Sequence, residues 1–337
     1  MKILISSHAF SPSIGGIETV SALLAAEFVR LGHVVTVVTQ TQSAVEEQND
    51  YSVLREPSFS ELKAALGRCD VFWQNNLSLR TLWPALITGK PVIVTHQGSY
   101  CRKPSGIDLV QRLKHGLVRR TKSVAISTAV ASCFATDSTI IHNPYDARLF
   151  GTSPAAEKKT GDLIFLGRLV TEKGIDLLLE ALAQLKAQDL SPSLTIVGGG
   201  PELPRIESLS MALGLSEQVT FTGPKRGAEL VELLRRHTIQ VIPSRYEEPF
   251  GVVALEGIAS GCVIVGSEGG GLPEAIGPCG LTFPNGDATA LSQTLRSLLA
   301  APEEQVRLRT PATDHLAKFH PTKIAQDYLN LFAAELT

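Results

Sequence analysis

The sequence predicts an α/β protein made of two doubly wound parallel-sheet domains that face one another across a cleft. The chain of 337 residues is longer than one hydrophobic core usually serves, and its 44% hydrophobic content can fill large cores. Short β-branched runs alternate with amphipathic segments of helical length, which is typical of parallel α/β sheets. This alternation stops near residue 150 and then begins again, so we expect two domains.

The predicted strands divide into two sets. The first set is KILISS, HVVTVVT, CDVFWQ, PVIVTH, SVAIS and STIIHN, with a helix that begins at about Ile17. The second set is LIFLGR, SLTIVGG, QVTFTG, IQVIPS, VIVGSE and GLTFP. A polar segment rich in Pro, Gly and Ser separates them. We therefore predict domains over residues 1–150 and 151–320, with a C-terminal helix over 321–337 that completes the first domain.

Composition excludes several classes of protein. A net charge of -2 and a pI of about 6.5 provide no positive field for nucleic acid. No apolar run reaches the roughly 18 to 20 residues that a membrane-spanning helix needs, and MKILISSHAF resembles a first strand more than a signal peptide. The cysteines occur singly, which favours buried thiols in the cytoplasm: Cys69, Cys101, Cys133, Cys262 and Cys279.

Two cations follow the first strand of the second domain, in FLGRLVTEKGID. Arg168 ends that strand, and Lys173 precedes a helix that begins near Gly174. Ligands of open α/β sheets bind beyond the carboxyl ends of the strands, and a helix N-terminus favours anions. The pair therefore suits a diphosphate, although two cations on a solvated loop would look the same in sequence.

Glycine-rich turns precede several predicted helices. Gly15 and Gly16 follow the first strand, Gly198 lies in TIVGGGPELPRI, and GSEGGGLPEAIG adds a third such turn. Each could hold phosphate with backbone N–H groups or simply make a tight turn. Neither G-x-G-x-x-G nor the P-loop pattern occurs, and no ligand spacing for a metal is present.

The stretch SRYEEPFGVVALEG places Glu248 in a predicted loop and Glu256 on a predicted helix. Ionised carboxylates accept hydrogen bonds from vicinal hydroxyls of a sugar, so the pair would bind a sugar joined to a diphosphate. Glu247 is predicted to face water. A glycoside hydrolase could also use two glutamates, but it would leave the two cations unexplained. His96 follows a predicted strand of the first domain and should face the cleft.

These motifs resemble those of family-four glycosyltransferases, a retaining group with the two-domain GT-B fold, over the whole chain. SRYEEPFGVVALE matches the paired-glutamate motif, and GGIE, GRLVTEKG, IVGGGP and EGGGLPE follow the expected order. The resemblance implies that Arg168 and Lys173 bind the donor diphosphate, that Glu248 binds the transferred sugar and that Glu256 binds the ribose. It also implies donor contacts for Gly15, Gly16, Gly198, Pro224, Lys225, Phe250, Gly251 and Val252, and a place for His96 beside the sugar.

Three departures from the family pattern stand out. Gln97 follows His96 where many relatives have Asp, HNPYD replaces a commoner Asn-Gly-Val-Asp, and residues 198–200 lack a polar residue between glycines. The change to Gln97 affects the contribution that an acidic side chain would make. The HNPYD segment affects the hinge between the domains, and the glycines at 198–200 affect contacts to the base or the ribose.

The resemblance implies retaining transfer of a hexose from a nucleotide diphosphate sugar to a hydroxyl of a glycan, lipid-linked or small-molecule acceptor in polysaccharide or glycoconjugate biosynthesis, without metal or cofactor. Arg168, Lys173, Glu248 and His96 would form the catalytic group. UDP-glucose is the leading donor, ahead of GDP-mannose and UDP-N-acetylglucosamine. A nucleotide-sugar epimerase and a non-catalytic nucleotide-sugar binder remain alternatives. A basic segment at 107–122 suggests either peripheral contact with the inner face of the membrane or an ordinary cleft-side or surface helix.

Overall fold

The computed structural model describes residues 1–13, 15–43, 49–98, 116–133, 137–151 and 160–337. These residues form two compact units, which we call unit 1 (Met1–Pro144 with Phe319–Thr337) and unit 2 (Tyr145–Lys318). The boundaries predicted from the sequence lie after residues 150 and 320.

Unit 1 is built on a seven-stranded parallel sheet in the order β3-β2-β1-β4-β5-β6-β7. Apolar residues cover both of its faces, as expected of an all-parallel sheet. Its strands are β1 (Lys2–Ser7), β2 (Val34–Thr39), β3 (Ser52–Arg55), β4 (Val71–Asn75), β5 (Val92–His96), β6 (Lys122–Ala125) and β7 (Thr139–Ile140). Its fully described helices are α1 (Gly16–Arg30), α2 (Phe59–Arg68), α3 (Leu79–Leu86) and α4 (Thr128–Ala131), and the C-terminal helix described below.

Unit 2 contains a six-stranded parallel sheet in the order β10-β9-β8-β11-β12-β13. Its strands are β8 (Gly161–Leu166), β9 (Leu194–Val197), β10 (Val219–Gly223), β11 (His237–Ile242), β12 (Val263–Ser267) and β13 (Gly280–Phe283). Its helices are α5 (Ile175–Lys186), α6 (Leu203–Ala212), α7 (Gly227–Arg236), α8 (Val252–Ala259), α9 (Leu272–Ile276), α10 (Ala288–Leu299), α11 (Pro302–Arg309) and α12 (Ala312–Ala317).

The C-terminal helix, α13 (Pro321–Leu336), packs in unit 1 through aromatic residues. The rings of Trp73 and Tyr328 lie 4.7 Å apart between centroids. Trp73 Nε1 donates to Thr95 Oγ1 at 2.8 Å, and that hydroxyl lies 2.8 Å from the Tyr328 hydroxyl. Both polar ends of these buried aromatic residues are therefore hydrogen-bonded, as burial requires.

The predicted fold class is confirmed: both units are doubly wound, Rossmann-like parallel sheets. All twelve strands predicted from the sequence are present, but β3 was missed. Only four residues long and lying at the sheet edge, β3 has no fully buried residue, so it lacks the apolar run that marked the other strands.

The strand orders fix where a ligand site can form. In unit 1 the order reverses between β1 and β4, and in unit 2 it reverses between β8 and β11. The connecting helices leave the sheet in opposite directions at such a switch point, which opens a crevice at the carboxyl ends of the two strands.

Candidate functional site in unit 2

The turns after β8 and β11 meet at the switch point of unit 2. Residues Thr171–Lys173 form one turn of 3-10 helix after β8, and Gly174 follows with a φ of 66°. A Cβ at Gly174 would lie 2.0 Å from the carbonyl oxygen of Pro243, which follows β11. Glycine is therefore required both by the left-handed backbone and by the close approach of the two turns. The Arg245 N–H also donates to the Glu172 carbonyl at 2.8 Å, which joins the turns directly.

Lys173 and Glu248 form an ion pair at this junction. Lys173 Nζ lies 2.6 Å from Glu248 Oε1, and the Glu248 side chain is only 6% exposed. Ser244 Oγ donates to the same oxygen at 2.6 Å, while the Tyr246 hydroxyl donates to Oε2. Both carboxylate oxygens thus have protein donors, so a sugar hydroxyl would have to share or replace one of them.

Tyr246 is the member of this cluster that sequence reasoning missed. Lys173 Nζ lies 5.2 Å above the centre of its ring and 3.4 Å from its hydroxyl. Partial burial first, and then the charge of Glu248, raise the pKa of Tyr246, so the phenol stays protonated and donates. An aromatic residue two positions before Glu248 was the available signal, but sequence alone does not show which way its ring faces.

Arg168 lies beside this cluster with its side chain exposed. Its positive charge acts on Tyr246, where it lowers the phenol pKa against the larger effects that raise it. Within the described part of the chain, the guanidinium forms no ion pair. A planar cation of this kind can bind an incoming anion with two hydrogen bonds without first breaking a protein contact.

Glu256, on helix α8, differs from Glu248. Burial, and secondly the negative charge of Asp146, raise its pKa to about 8. The raised pKa favours the neutral form of Glu256, whereas the sequence argument treated both glutamates as ionised. A protonated carboxyl can still accept one hydrogen bond and can donate another. Its predicted contact with ribose stays a prediction.

The residues just before and within the start of α8 present mainly backbone. Phe250 is buried, Gly251 adopts a φ of 105° as the N-cap, and Val252 is the first helical residue. A Cβ on Gly251 would lie 2.6 Å from Leu272 Cδ1, so glycine also permits close packing there. No side chain caps this helix, which leaves its first N–H groups to other acceptors. The predicted backbone contacts are compatible with this arrangement.

The turns after β9 and β10 lie beside the turn after β8. The Gly198 N–H donates to the Gly223 carbonyl at 3.0 Å, and a Cβ on Gly198 would lie 1.9 Å from the Gly167 carbonyl oxygen. Pro224 and Lys225 follow directly, and Lys225 Nζ lies 3.6 Å from Glu229. The structure therefore brings Gly198, Pro224 and Lys225 to the same sheet edge as Arg168.

Gly15 and Gly16 lie at the start of α1 in unit 1. Gly15 is the extended N-cap of the helix, and nothing would contact a Cβ on Gly16. The Glu18 carboxylate occupies the space where a Cβ on Gly15 would lie, and it accepts from Ser13 Oγ at 3.3 Å. A phosphate bound here would meet this carboxylate, so Glu18 would have to move for the predicted contact to form.

His96, the last residue of β5, is fully buried, with Nε2 3.5 Å from Ser123 Oγ. Gln97 is also buried and forms two reciprocal hydrogen bonds with Asn143, of 3.0 and 2.7 Å. Gln97 Nε2 also donates to Asn75 Oδ1 at 2.7 Å. An ionised aspartate could not donate the bonds to Asn143 Oδ1 and Asn75 Oδ1, so the amide at position 97 fits its neighbours. The predicted role of His96 towards the sugar stays a prediction.

Several other predictions can be placed. Most of the basic segment at 107–122 lies outside the described residues, as does Cys101. Cys69, Cys262 and Cys279 are buried free thiols, but Cys133 is disulfide-bonded, so the expectation of free thiols is wrong at that position. Among the described residues, no group of three His, Cys, Asp or Glu side chains could hold a metal ion. The helices in that part of the chain are too short or too polar to cross a membrane.

Comparison with known proteins finds similarity to glycosyltransferases. Residues 152–315 match the family model described as Glycosyl transferases group 1. One relative is a GDP-mannose-dependent alpha-(1-6)-phosphatidylinositol monomannoside mannosyltransferase of Mycolicibacterium smegmatis. It is 28% identical over 89% of this chain and 90% of its own length. A D-inositol 3-phosphate glycosyltransferase of Stackebrandtia nassauensis is 36% identical over 50% of this chain, which spans only 40% of that relative.

Solved structures show the same fold. Anabaena HepE in complex with UDP has a TM-score of 0.83 at 20% identity, over 99% of this chain and 100% of that one. A glycosyltransferase from Rickettsia africae has a TM-score of 0.84 at 17% identity, over 100% and 98% of the two chains. At such identities the likeness shows the GT-B fold alone. The chain is thus similar to group 1 glycosyltransferases, with the family model confined to residues 152–315.

Proposed function

We propose that the chain is a retaining glycosyltransferase that moves a hexose from a nucleotide diphosphate sugar to an acceptor hydroxyl. The observation that carries this proposal is the charged junction after β8 and β11, where Lys173 and Glu248 pair beside the exposed Arg168. A cation pair for a diphosphate and a carboxylate for a sugar are what such a donor needs, and they lie at the switch point of the sheet.

In the proposed reaction, the bond between the anomeric carbon and the diphosphate oxygen breaks while the acceptor oxygen forms the new glycosidic bond. The family resemblance implies that the acceptor attacks from the face of the leaving group, and that a donor phosphate oxygen takes its proton. Arg168, Lys173 and the N-terminus of α5 would stabilise the negative charge that develops on the diphosphate. These groups would serve without a metal ion or another cofactor.

Glu248 would position the sugar rather than attack it. Its carboxylate is paired with Lys173 and accepts from Ser244 and Tyr246, which lowers its nucleophilicity and fixes its direction. When the diphosphate binds, the ammonium of Lys173 can turn towards it, and a sugar hydroxyl can donate to the oxygen that it leaves. Binding of the two parts of the donor would then be coupled.

UDP-glucose is the first donor to test, and GDP-mannose is the second. Similarity over most of this chain to the GDP-mannose-dependent mannosyltransferase of Mycolicibacterium smegmatis supports GDP-mannose. A solved complex of HepE with UDP-glucose supports UDP-glucose. We propose a glycan, lipid-linked or small-molecule acceptor, as the sequence resemblance implies. We also propose a cytoplasmic location, which rests on the singly spaced cysteines, although Cys133 is disulfide-bonded.

The test is turnover of purified protein with each nucleotide sugar, measured as release of nucleoside diphosphate together with sugar linkage to an acceptor. Transfer with retention of the anomeric configuration is expected. Interconversion of the donor without an acceptor would indicate an epimerase instead. Saturable donor binding without any turnover across an acceptor panel would favour a nucleotide-sugar binder.

A further inference from the structure

Unit 1 exposes a stacked pair of aromatic side chains on helices α2 and α3. Phe59 begins α2 and is 54% exposed, and Trp83, on α3, is 48% exposed. Their ring centroids lie 5.7 Å apart, with an interplanar angle of 14°. Ile87 follows Trp83 by one helical turn and is 73% exposed. We call Phe59, Trp83 and Ile87 the α2/α3 patch.

The fold does not need these side chains at the surface. Helix α2 buries Leu62, Ala65 and Leu66, and α3 buries Leu82 and Ala85, on faces that point into the core. A capping box of Ser58 and Glu61 holds the start of α2 without help from Phe59. Two adjacent aromatic rings that contribute little to the core but remain exposed indicate a contact surface.

Two cations flank the patch. Lys63 lies one turn after Phe59 on α2, and Arg80 lies three residues before Trp83 on α3, so each shares a helix face with an aromatic residue. Both are exposed, and neither forms an ion pair with another residue that the structure describes. The nearby carboxylate of Glu61 is hydrogen-bonded to Ser58. Aromatic rings beside unpaired cations have the chemistry of a membrane interface.

We propose that the α2/α3 patch docks this chain onto an anionic lipid surface. Phe59, Trp83 and Ile87 enter the headgroup region, and Lys63 and Arg80 contact lipid phosphates. The charge complementarity favours lipid over a second copy of the chain, because like-charged patches would face one another in a symmetric dimer. The α2/α3 patch consists of residues other than those of the basic segment at 107–122, and the proposal does not depend on the proposed transfer reaction.

Tryptophan fluorescence provides a direct test because the chain has only two tryptophans, and Trp73 is fully buried. Full-length protein is mixed with phosphatidylcholine vesicles with and without phosphatidylglycerol, and both sedimentation and emission are measured. We expect binding to the anionic vesicles alone, with a blue shift from Trp83 and quenching by brominated lipid. Trp83→Phe should still bind but should lose the shift.

Phe59→Ser and Trp83→Ser should each lower the vesicle partition coefficient by about tenfold, and Lys63→Gln or Arg80→Gln by about fivefold. The matched control is Met211→Ser, which changes a 63% exposed apolar residue in unit 2 and should bind like the wild type. Thermal melts check that every variant folds. Unchanged binding in folded Phe59→Ser and Trp83→Ser variants would overturn the proposal. So would self-association through Trp83 in the absence of vesicle binding.

Discussion

The carboxyl ends of the strands in the two units carry opposite chemistry on the same topology. In unit 1, neutral groups form one buried chain of hydrogen bonds: Ser7 with Ser21 (2.9 Å), Ser21 with Asn75 (2.7 Å), Asn75 with Gln97 (2.7 Å) and Gln97 with Asn143. In unit 2, the corresponding edge carries the ion pair of Lys173 and Glu248 and the exposed Arg168. The first network is satisfied by the protein itself, whereas the second contains a cation that no described residue pairs.

This difference shows that the doubly wound sheet determines where a ligand site can form, whereas the side chains at the strand ends determine its chemistry. A closed amide network stabilises and orients strand ends, since each buried polar group has a partner. An unpaired guanidinium beside a buried carboxylate is instead ready for a ligand that carries both phosphate and hydroxyl groups. We therefore propose that the donor binds mainly to unit 2.

The largest effect is expected from Arg168→Ala. Loss of one cation that stabilises the leaving diphosphate should lower the transfer rate by about 10²- to 10³-fold. Arg236→Ala is the matched control, because Arg236 pairs with Glu232 before β11 begins, at the opposite end of the strands. Steady-state transfer rates of both variants check this expectation. Equal rates for the two variants would contradict the proposal that the charged strand ends of unit 2 bind the donor.

Introducing a charge into the unit 1 network should be costly for stability. Gln97→Glu removes the donors to Asn75 Oδ1 and Asn143 Oδ1 and buries a carboxylate beside them, which should cost about 3 kcal/mol in the free energy of unfolding. Denaturant unfolding measures this cost. It should shrink at low pH, where the new carboxyl is protonated and can donate again.

The control for that variant is Gln326→Glu on the exposed face of α13, which should change stability by less than about 0.5 kcal/mol. If both variants had the same stability, the unit 1 amides would not form the closed network that distinguishes them from the unit 2 cluster.

The raised pKa of Glu256 predicts a pH-dependent difference in stability. Between the ordinary glutamate pKa of 4.5 and the folded value of about 8, the unfolded chain loses a proton that the folded chain keeps. The free energy of unfolding therefore falls as the pH rises through this window, by an amount on the order of 1 to 4 kcal/mol. Glu256→Gln should lack this fall, so its stability relative to wild type should increase from pH 5 to pH 8 in denaturant titrations. Parallel curves for the two proteins would contradict the raised pKa.

The smallest effect is expected from Tyr246→Phe. This change removes the hydroxyl donor to Glu248 but keeps the ring beneath Lys173, so kcat/KM should fall by about fivefold, equivalent to about 1 kcal/mol. Tyr246→Leu, which also removes the ring, should lower it further. Phe and Leu variants of equal activity would show that the ring does not position Lys173.

Sequence reasoning located the strand ends and therefore brought Arg168, Lys173 and Glu248 to one sheet edge, because parallel strands share that edge. It could not identify Tyr246 or Ser244 as partners of Glu248, since those contacts depend on how one loop packs. It treated Glu256 as ionised because neither its burial nor the approach of Asp146, more than a hundred positions earlier, is visible in a local motif. The amide pair of Gln97 and Asn143 was hidden for the same reason.

The most direct test of the central claim is calorimetric titration of UDP and GDP, and of their glucose and mannose conjugates, into wild type, Arg168→Ala and Arg236→Ala. We expect saturable binding of at least one nucleotide sugar to the wild type and to Arg236→Ala. Arg168→Ala should bind it at least about tenfold more weakly, as expected when a charge-assisted contact to phosphate is lost. Equal affinity in Arg168→Ala and wild type would contradict the claim that the charged strand ends of unit 2 bind the donor.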